Sequence, residues 1–391
     1  MRVKAVSSAF HASLVPCLRY AAIAPVNGSK FWVVQMVSES LQAACDNAIR
    51  SSRRGDTRAG IDLARRAYRL ARRESPEAEM EALNASALCQ SANGSFIESI
   101  ATSIDVISLA RLHAHRSAAA YALTTMAGAA SFILDADHVV LEMLQVCRFE
   151  ADVLADAPLR VRIHNTFGLV YGNLARYDDA DNEYDLGIAL VAQTDERAGL
   201  FTPGYLMMGN KAFLSVQRAR AATPTQFPAL ANDAERRIEH VLGIATAELN
   251  IDAEARAWFC RGQLRTLQAR HVEALDAFGE ALTRATQIRH HPRLIDTYLE
   301  IGNLYAAEMQ FDKALEAMEE AYLLADASRP TAKVATACEG VAKMFANLGR
   351  EREASHFRAK TERERETFER DNALAVRDLN AFWQTTTTVQ V

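Results

Sequence analysis

The residues of this chain that could do chemistry are ten histidines, six cysteines and several acidic pairs. Cys17, Cys45, Cys89, Cys147, Cys260 and Cys338 are scattered, with no C-x-x-C pair and no spacing shared with histidines. They read as buried thiols of a reducing cytoplasm. His113 with His115, and His290 with His291, lack the i,i+4 spacing and the further ligands of a closed metal site, so they read as surface histidines. Asp178-Asp179 and Glu319-Glu320 fall on expected solvent faces, with no partner to raise a carboxyl pKa for acid–base work. No nucleotide loop, nucleophile elbow, zinc-protease helix or kinase signature occurs. These residues predict no enzyme, no cofactor and no metal.

Charge leaves two local features. The net charge of -5 carries no global footprint for nucleic acid or an anionic membrane. Between Arg50 and Arg73, however, nine arginines stand against Asp56 and Asp62 alone. This is either the soluble face of a terminal repeat or a basic patch for an acidic partner. Between Glu351 and Arg370, six acids and six bases alternate, the pattern of an exposed helix laced with ion pairs.

The elements that position these residues are helices. The chain has 391 residues, 71 of them alanine against 17 glycines and nine prolines, an excess of helix formers that excludes an all-β fold. Trp258 to Gly262 and Ala274 to Ala281 align with Tyr298 to Gly302 and Ala314 to Ala321, each pair 40 residues apart. The same step reaches Ala342 and Ala354. A further copy upstream holds Gly168, Tyr171, Ala180 and Tyr184, and weaker copies hold Gly128, Ala87 with Gly94, and Ala48 with Gly55, Ala64 and Ala67. Small residues at Gly168, Gly262, Gly302, Ala180, Ala274 and Ala314 would let paired helices approach. Pro76, Pro158, Pro292 and Pro330 sit where helices start.

An aromatic, Gly four residues on, Ala twelve later and an aromatic or Met four after that resemble the tetratricopeptide repeat, here with a 40-residue period instead of the usual 34. The resemblance implies an all-α, right-handed superhelical solenoid of about eight antiparallel helix pairs over residues 36–366. Residues 1–35 form an irregular extension that an alternative start at Met36 would remove. Residues 367–391 form a capping or linker helix and a frayed tail: Phe368, Ala375, Leu379 and Phe382 either cover the open end of the solenoid or pair with a second copy as a homodimer. Unit five carries 13 extra residues around Pro224 and Pro228, which read as an interhelical loop.

In such arrays the first helix of each pair lines a concave groove. The lattice then puts Asn165, Asn173, Asn210, Arg256, Gln263, Asn303, Lys343 and Asn347 on that surface, with Asn84, Thr125, Arg162 and Glu339 beside them. A ladder of amides, each both donor and acceptor, can hold a peptide backbone whatever its side chains. The Lys and Asn set of the co-chaperone carboxylate clamp is not supplied by Asn210-Lys211 alone. The resemblance therefore implies a non-enzymatic adaptor or regulator that binds a protein or peptide partner, with no membrane and no nucleic-acid partner. The alternative is the sensing input region of a bacterial signalling or transcription regulator, as in the diguanylate cyclases and activators with long-period arrays, without its output domain.

Overall fold

The computed structural model describes residues 39–53, 57–132, 137–193, 201–328 and 331–388. Residues 1–38, Gly55, Pro330 and the last three residues lie outside them, as do the expectations made for them. The described residues form sixteen helices in eight consecutive pairs. These are α1 Glu39–Arg53 with α2 Thr57–Ala71, α3 Pro76–Asn93 with α4 Phe96–Leu112, α5 Arg116–Ala130 with α6 Asp137–Leu154, and α7 Ala157–Asn173 with α8 Tyr177–Gln193. The remaining pairs are α9 Phe201–Arg220 with α10 Phe227–Ala247, α11 Ile251–Leu267 with α12 His271–Gln287, α13 His291–Ala307 with α14 Phe311–Ser328, and α15 Thr331–Asn347 with α16 Glu351–Thr388.

Local chemistry starts and stops these helices. Side chains of Ser75, His115, Asp156, Asn250 and His290 each accept a bond from the backbone N–H three residues on, capping α3, α5, α7, α11 and α13. Pro76, Pro158, Pro228 and Pro292 occupy the first two helical positions, where a missing N–H costs nothing. Most tight connections share one closure. The third loop residue donates back to the carbonyl five residues before it, as from Arg176 N to Tyr171 O at 2.8 Å and from Arg270 N to Arg265 O at 2.9 Å. The residue before the donor takes the left-handed conformation. It is glycine at Gly94 and Gly349, but alanine at Ala114, Ala155, Ala175 and Ala269, and larger still at Leu249, Arg289 and Met309.

Packing within the pairs follows the small-residue lattice. A Cβ on Gly168 would stand 2.4 Å from the Tyr184 ring, one on Gly262 2.5 Å from Phe278, and one on Gly302 2.8 Å from Met318. Ala180, Ala274, Ala314 and Ala354 are wholly buried on the facing helices. A glycine notch on the first helix thus accepts a large side chain from the second. This chain is a tetratricopeptide-like helical repeat protein, and α13 and α15 each begin 40 residues after the equivalent helix before them.

Three elements depart from the sequence expectations. The unit-five insertion is mostly helix: α9 and α10, of 20 and 21 residues, absorb most of the extra length and only 221–226 remain as the connection. The exchange is favourable because each added helical residue gains a backbone bond at no new nucleation cost. The C-terminal element α16 is a single helix of 38 residues that runs through the expected boundary at 366–367 and takes in Gln384 to Thr388. No glycine or proline interrupts it.

Nor does the far half of α16 sit on the last repeat. Ala375, Leu379 and Trp383, spaced four apart on one helical stripe, are buried in the core built by α3 to α7. Trp383 Nε1 donates to Glu142 Oε2 on α6 at 2.9 Å, and the Arg111 guanidinium lies 5.4 Å from the Phe382 ring centroid. Of the stripe expected to cap the solenoid end or to form a homodimer, Ala375 and Leu379 are thus buried within their own chain and Phe382 is partly buried against the same core.

Candidate functional site

The first helices of the last five pairs share one cavity of about 880 Å³. Asn165 and Asn173 come from α7, Asn210 from α9, Arg256 and Gln263 from α11, Asn303 from α13 and Lys343 from α15. The repeat period explains the convergence: Gln263, Asn303 and Lys343 hold one lattice position at successive 40-residue steps. Asn347 is exposed but outside this cavity. Of the flanking candidates, Glu339 lines the cavity, whereas Thr125 and Arg162 hydrogen-bond to each other outside its wall and Asn84 lies on α3.

The amides do not form an open ladder. Asn210 Nδ2 donates to Asn165 Oδ1 at 2.9 Å, and Asn210 Oδ1 in turn accepts from Arg256 Nη1. Gln263 Nε2 donates to Glu300 Oε1 at 2.6 Å, and Asn173 Nδ2 to the Ser131 carbonyl at 3.1 Å. Much of their capacity is spent on one another, because adjacent first helices lie close enough for side chains to bridge. The buried Gln263 Oε1 has no partner in the structure.

Several wall residues were not anticipated. Arg220, Arg293, Asp296 and Glu300 contribute charge, and Phe132, Leu169, Leu206, Phe213, Phe259 and Leu299 contribute apolar surface. Asp296 stands 40 residues after Arg256, so the lattice itself could have indicated it. The carboxylates are paired: Glu300 lies 3.6 Å from Arg220, Glu339 2.6 Å from Lys343, and Asp296 2.6 Å from Lys333. Gly209 makes room for one wall cation, since a Cβ there would stand 2.6 Å from Arg256 Cδ.

Beneath this wall, Arg293 keeps 8% of its surface exposed. Burial, then the neighbouring Arg256 charge, push its pKa down, while Asp252 and Asp296 oppose the shift. His290, read from sequence as a surface residue, caps α13 through Nδ1 and lies 3.7 Å from Asp252. Burial lowers its pKa to about 4 against the pull of Asp252. A second cavity of about 1,280 Å³ brings Asp46, Asn47 and Arg50 of α1 together with Tyr205, Asp252, Arg256 and Arg289. Within the basic stretch, Arg58, Arg65, Arg66, Arg72 and Arg73 are solvent-exposed.

The described cysteines are buried and form no disulfide with one another. Burial pushes the Cys45 and Cys147 thiols up to about 12 and those of Cys260 and Cys338 to about 11, which leaves them protonated and unreactive at neutral pH. Among the described residues no cluster of three His, Cys, Asp or Glu side chains could hold a metal ion, and no helix is long and apolar enough to cross a membrane.

No family model and no curated protein matches the chain. Among solved structures it is similar to aspartyl phosphate phosphatase F from Bacillus subtilis, at 12% identity over 88% of this chain and 96% of that one, with a TM-score of 0.45. A Rap protein complexed with competence and sporulation factor shares 11% identity over 85% and 99% of the two chains, with a TM-score of 0.48. A signal-transduction ATPase with a tetratricopeptide repeat sensor, from Pyrococcus horikoshii, shares 12% identity over 84% of this chain and 49% of that one, with a TM-score of 0.48.

Proposed function

We propose that this chain is a non-enzymatic binding protein that takes an extended peptide segment of a partner into the cavity lined by its first helices, and so acts as an adaptor or regulator. The observation that carries the reading is the convergence of Asn165, Asn173, Asn210, Arg256, Gln263, Asn303 and Lys343 on one cavity. The wall alternates polar groups with partly exposed aromatics: Phe132 and Phe213 keep 46% and 37% of their surface. A peptide presents just this mixture, a polar backbone with apolar side chains. The scattered, buried thiols support a reducing cytoplasm as its compartment.

The test selects random-sequence peptides on the full chain and compares their affinity for Asn303→Trp. Asn303 is exposed on the cavity wall, so an indole there fills the groove without disturbing the core. The selected peptides should bind this variant more weakly by about ten-fold or more, the effect of losing one well-packed contact. Equal affinity for both proteins overturns the groove reading.

A further inference from the structure

We infer that a third cavity, between α4 and α16, binds a small amphipathic amine: an apolar body that carries an ammonium group. The site is separate from the groove of the proposed function, although Phe132 lines both cavities. It has a volume of about 270 Å³ and lies where the fold-back of α16 meets the start of α4. Ile97, Ile100 and Ile104 line it from α4, and Phe368 and Leu374 from α16. Phe96 lines it as well, stacked on Phe132 with ring centroids 4.4 Å apart. Leu374 and Phe132 keep 44% and 46% of their surface exposed, so this apolar wall is open to a ligand and is not a finished core.

The side chains that could hold a polar group here are acceptors. Asn372 lines the cavity, is only 6% exposed, and its Oδ1 has no hydrogen-bond partner among the described residues. It stands three residues before Ala375 and seven before Leu379, on the stripe that docks into the core, where an apolar side chain would pack without any polar cost. An amide kept there with its oxygen unpaired costs stability, and a ligand N–H removes that cost. Glu98, Asp371 and Asp378 add three carboxylates to the wall, and among the described residues no Lys, Arg or His lines it. Arg370 and Arg377 reach Asp371 and Asp378 at 3.0 and 2.9 Å, but these are exposed pairs between chain neighbours, and such pairs are weak.

The charge of the ligand follows from the sign of the wall. α4 begins at this cavity, and its N-cap Ser95 makes no bond to the first turn; the hydroxyl oxygen accepts instead from Asn93 Nδ2 at 3.2 Å. That helix end carries about half a positive charge. Three carboxylates outweigh it, and one of them, Glu98, lies in the first turn of α4 and offsets the dipole directly. An anion is therefore disfavoured, and a neutral molecule leaves the carboxylates unused. An ammonium group brings several N–H donors for Asn372 Oδ1 and the carboxylates together, while its carbon body covers the open phenylalanine and leucine. Occupancy also ties α16 to α4, because each helix supplies one wall.

The experiment titrates the full chain with phenethylamine, phenethyl alcohol and hydrocinnamate, which share an aromatic body and differ in charge, and reads binding by ligand-observed nuclear magnetic resonance. The amine should bind about ten-fold more tightly than the alcohol, the gain of one charge-assisted hydrogen bond, and hydrocinnamate should bind most weakly. Asn372→Leu, which keeps the stripe apolar, and Glu98→Gln should each weaken the amine by about five-fold. The groove variant Asn303→Trp should bind it as the wild type does. Bound amine should also slow hydrogen exchange in the far half of α16. Equal binding of the three compounds, or no binding of the amine, overturns the proposal from the wild-type chain alone, whether or not a variant folds. Amine binding that survives both Asn372→Leu and Glu98→Gln, that falls with Asn303→Trp, or that leaves exchange in α16 unaltered overturns it as well.

Discussion

Gly262 and Gly279 belong to the same helix pair, yet alanine should have opposite effects at the two positions. Both lie inside helices, where Gly→Ala gains about 1 kcal/mol from the restricted unfolded chain and better helix propensity. At Gly279 a new Cβ meets nothing within 4 Å, so the gain is realised in full. At Gly262 the Cβ would stand 2.5 Å from both Cδ1 and Cε1 of Phe278, which is itself fully buried between Phe259 and Ala274. The ring has no free end to swing aside, so α11 and α12 must separate. Overpacking of this kind costs about 2–3 kcal/mol, leaving a net loss of about 1–2 kcal/mol after the propensity gain. Urea denaturation followed by circular dichroism, with equal slopes in all variants, measures both changes. Gly279→Ala should raise the midpoint and Gly262→Ala lower it. Shifts in the same direction would refute the notch geometry, since propensity alone treats the two glycines alike.

Ala269→Gly should stabilise the chain by about 0.5–1 kcal/mol, because the φ of 57° at Ala269 strains an L residue by more than glycine's added entropy costs; an unchanged or lower urea midpoint refutes this. Trp383→Ala should cost about 3 kcal/mol of local stability, read by hydrogen exchange as lost protection in the far half of α16 and in α4 while α11 to α14 keep theirs; protection lost evenly along the chain would refute independent docking of that segment. Between pH 6.5 and about 4 the unfolded chain protonates His290 and the folded chain does not, so this residue makes stability fall as pH is lowered through that window. His290→Asn keeps a capping acceptor and should flatten that slope in urea titrations, and an unaltered slope refutes the assignment.

The lattice was legible because it is written in side-chain size. Gly168, Gly262 and Gly302, with Tyr184, Phe278 and Met318 sixteen residues later, specify both the pairing of helices and its phase. The loops were not legible in the same way. Among the described residues only Gly94 and Gly349 announce the left-handed position, while Ala269, Arg289 and Met309 take it because two flanking helices over-determine the turn. Residue types at 40-residue steps gathered much of the groove, but not what the amides do there. Whether Asn210 faces a ligand or Asn165 depends on the distance between neighbouring first helices, and that distance is set by buried side chains elsewhere.

The fold-back of α16 exposes the same limit at longer range. Ala375, Leu379 and Trp383 declare an apolar stripe, but a stripe carries no address. Its partner is chosen by the curvature of the whole array, accumulated over all eight pairs. That curvature brings α16 to α4 and α6, and brings α1 to face α9 and α11 across the second cavity. Small rotations between repeats therefore act on both ends of the molecule. Because Arg256 lines both cavities, its guanidinium belongs both to the groove and to the place where α1 faces the middle repeats. Arg256 thus links the groove to the position of α1, and Arg256→Gln should alter the spacing between α1 and α11. Paired spin labels on exposed positions of those helices would measure it by pulsed electron resonance, and an unchanged distance distribution would break the link.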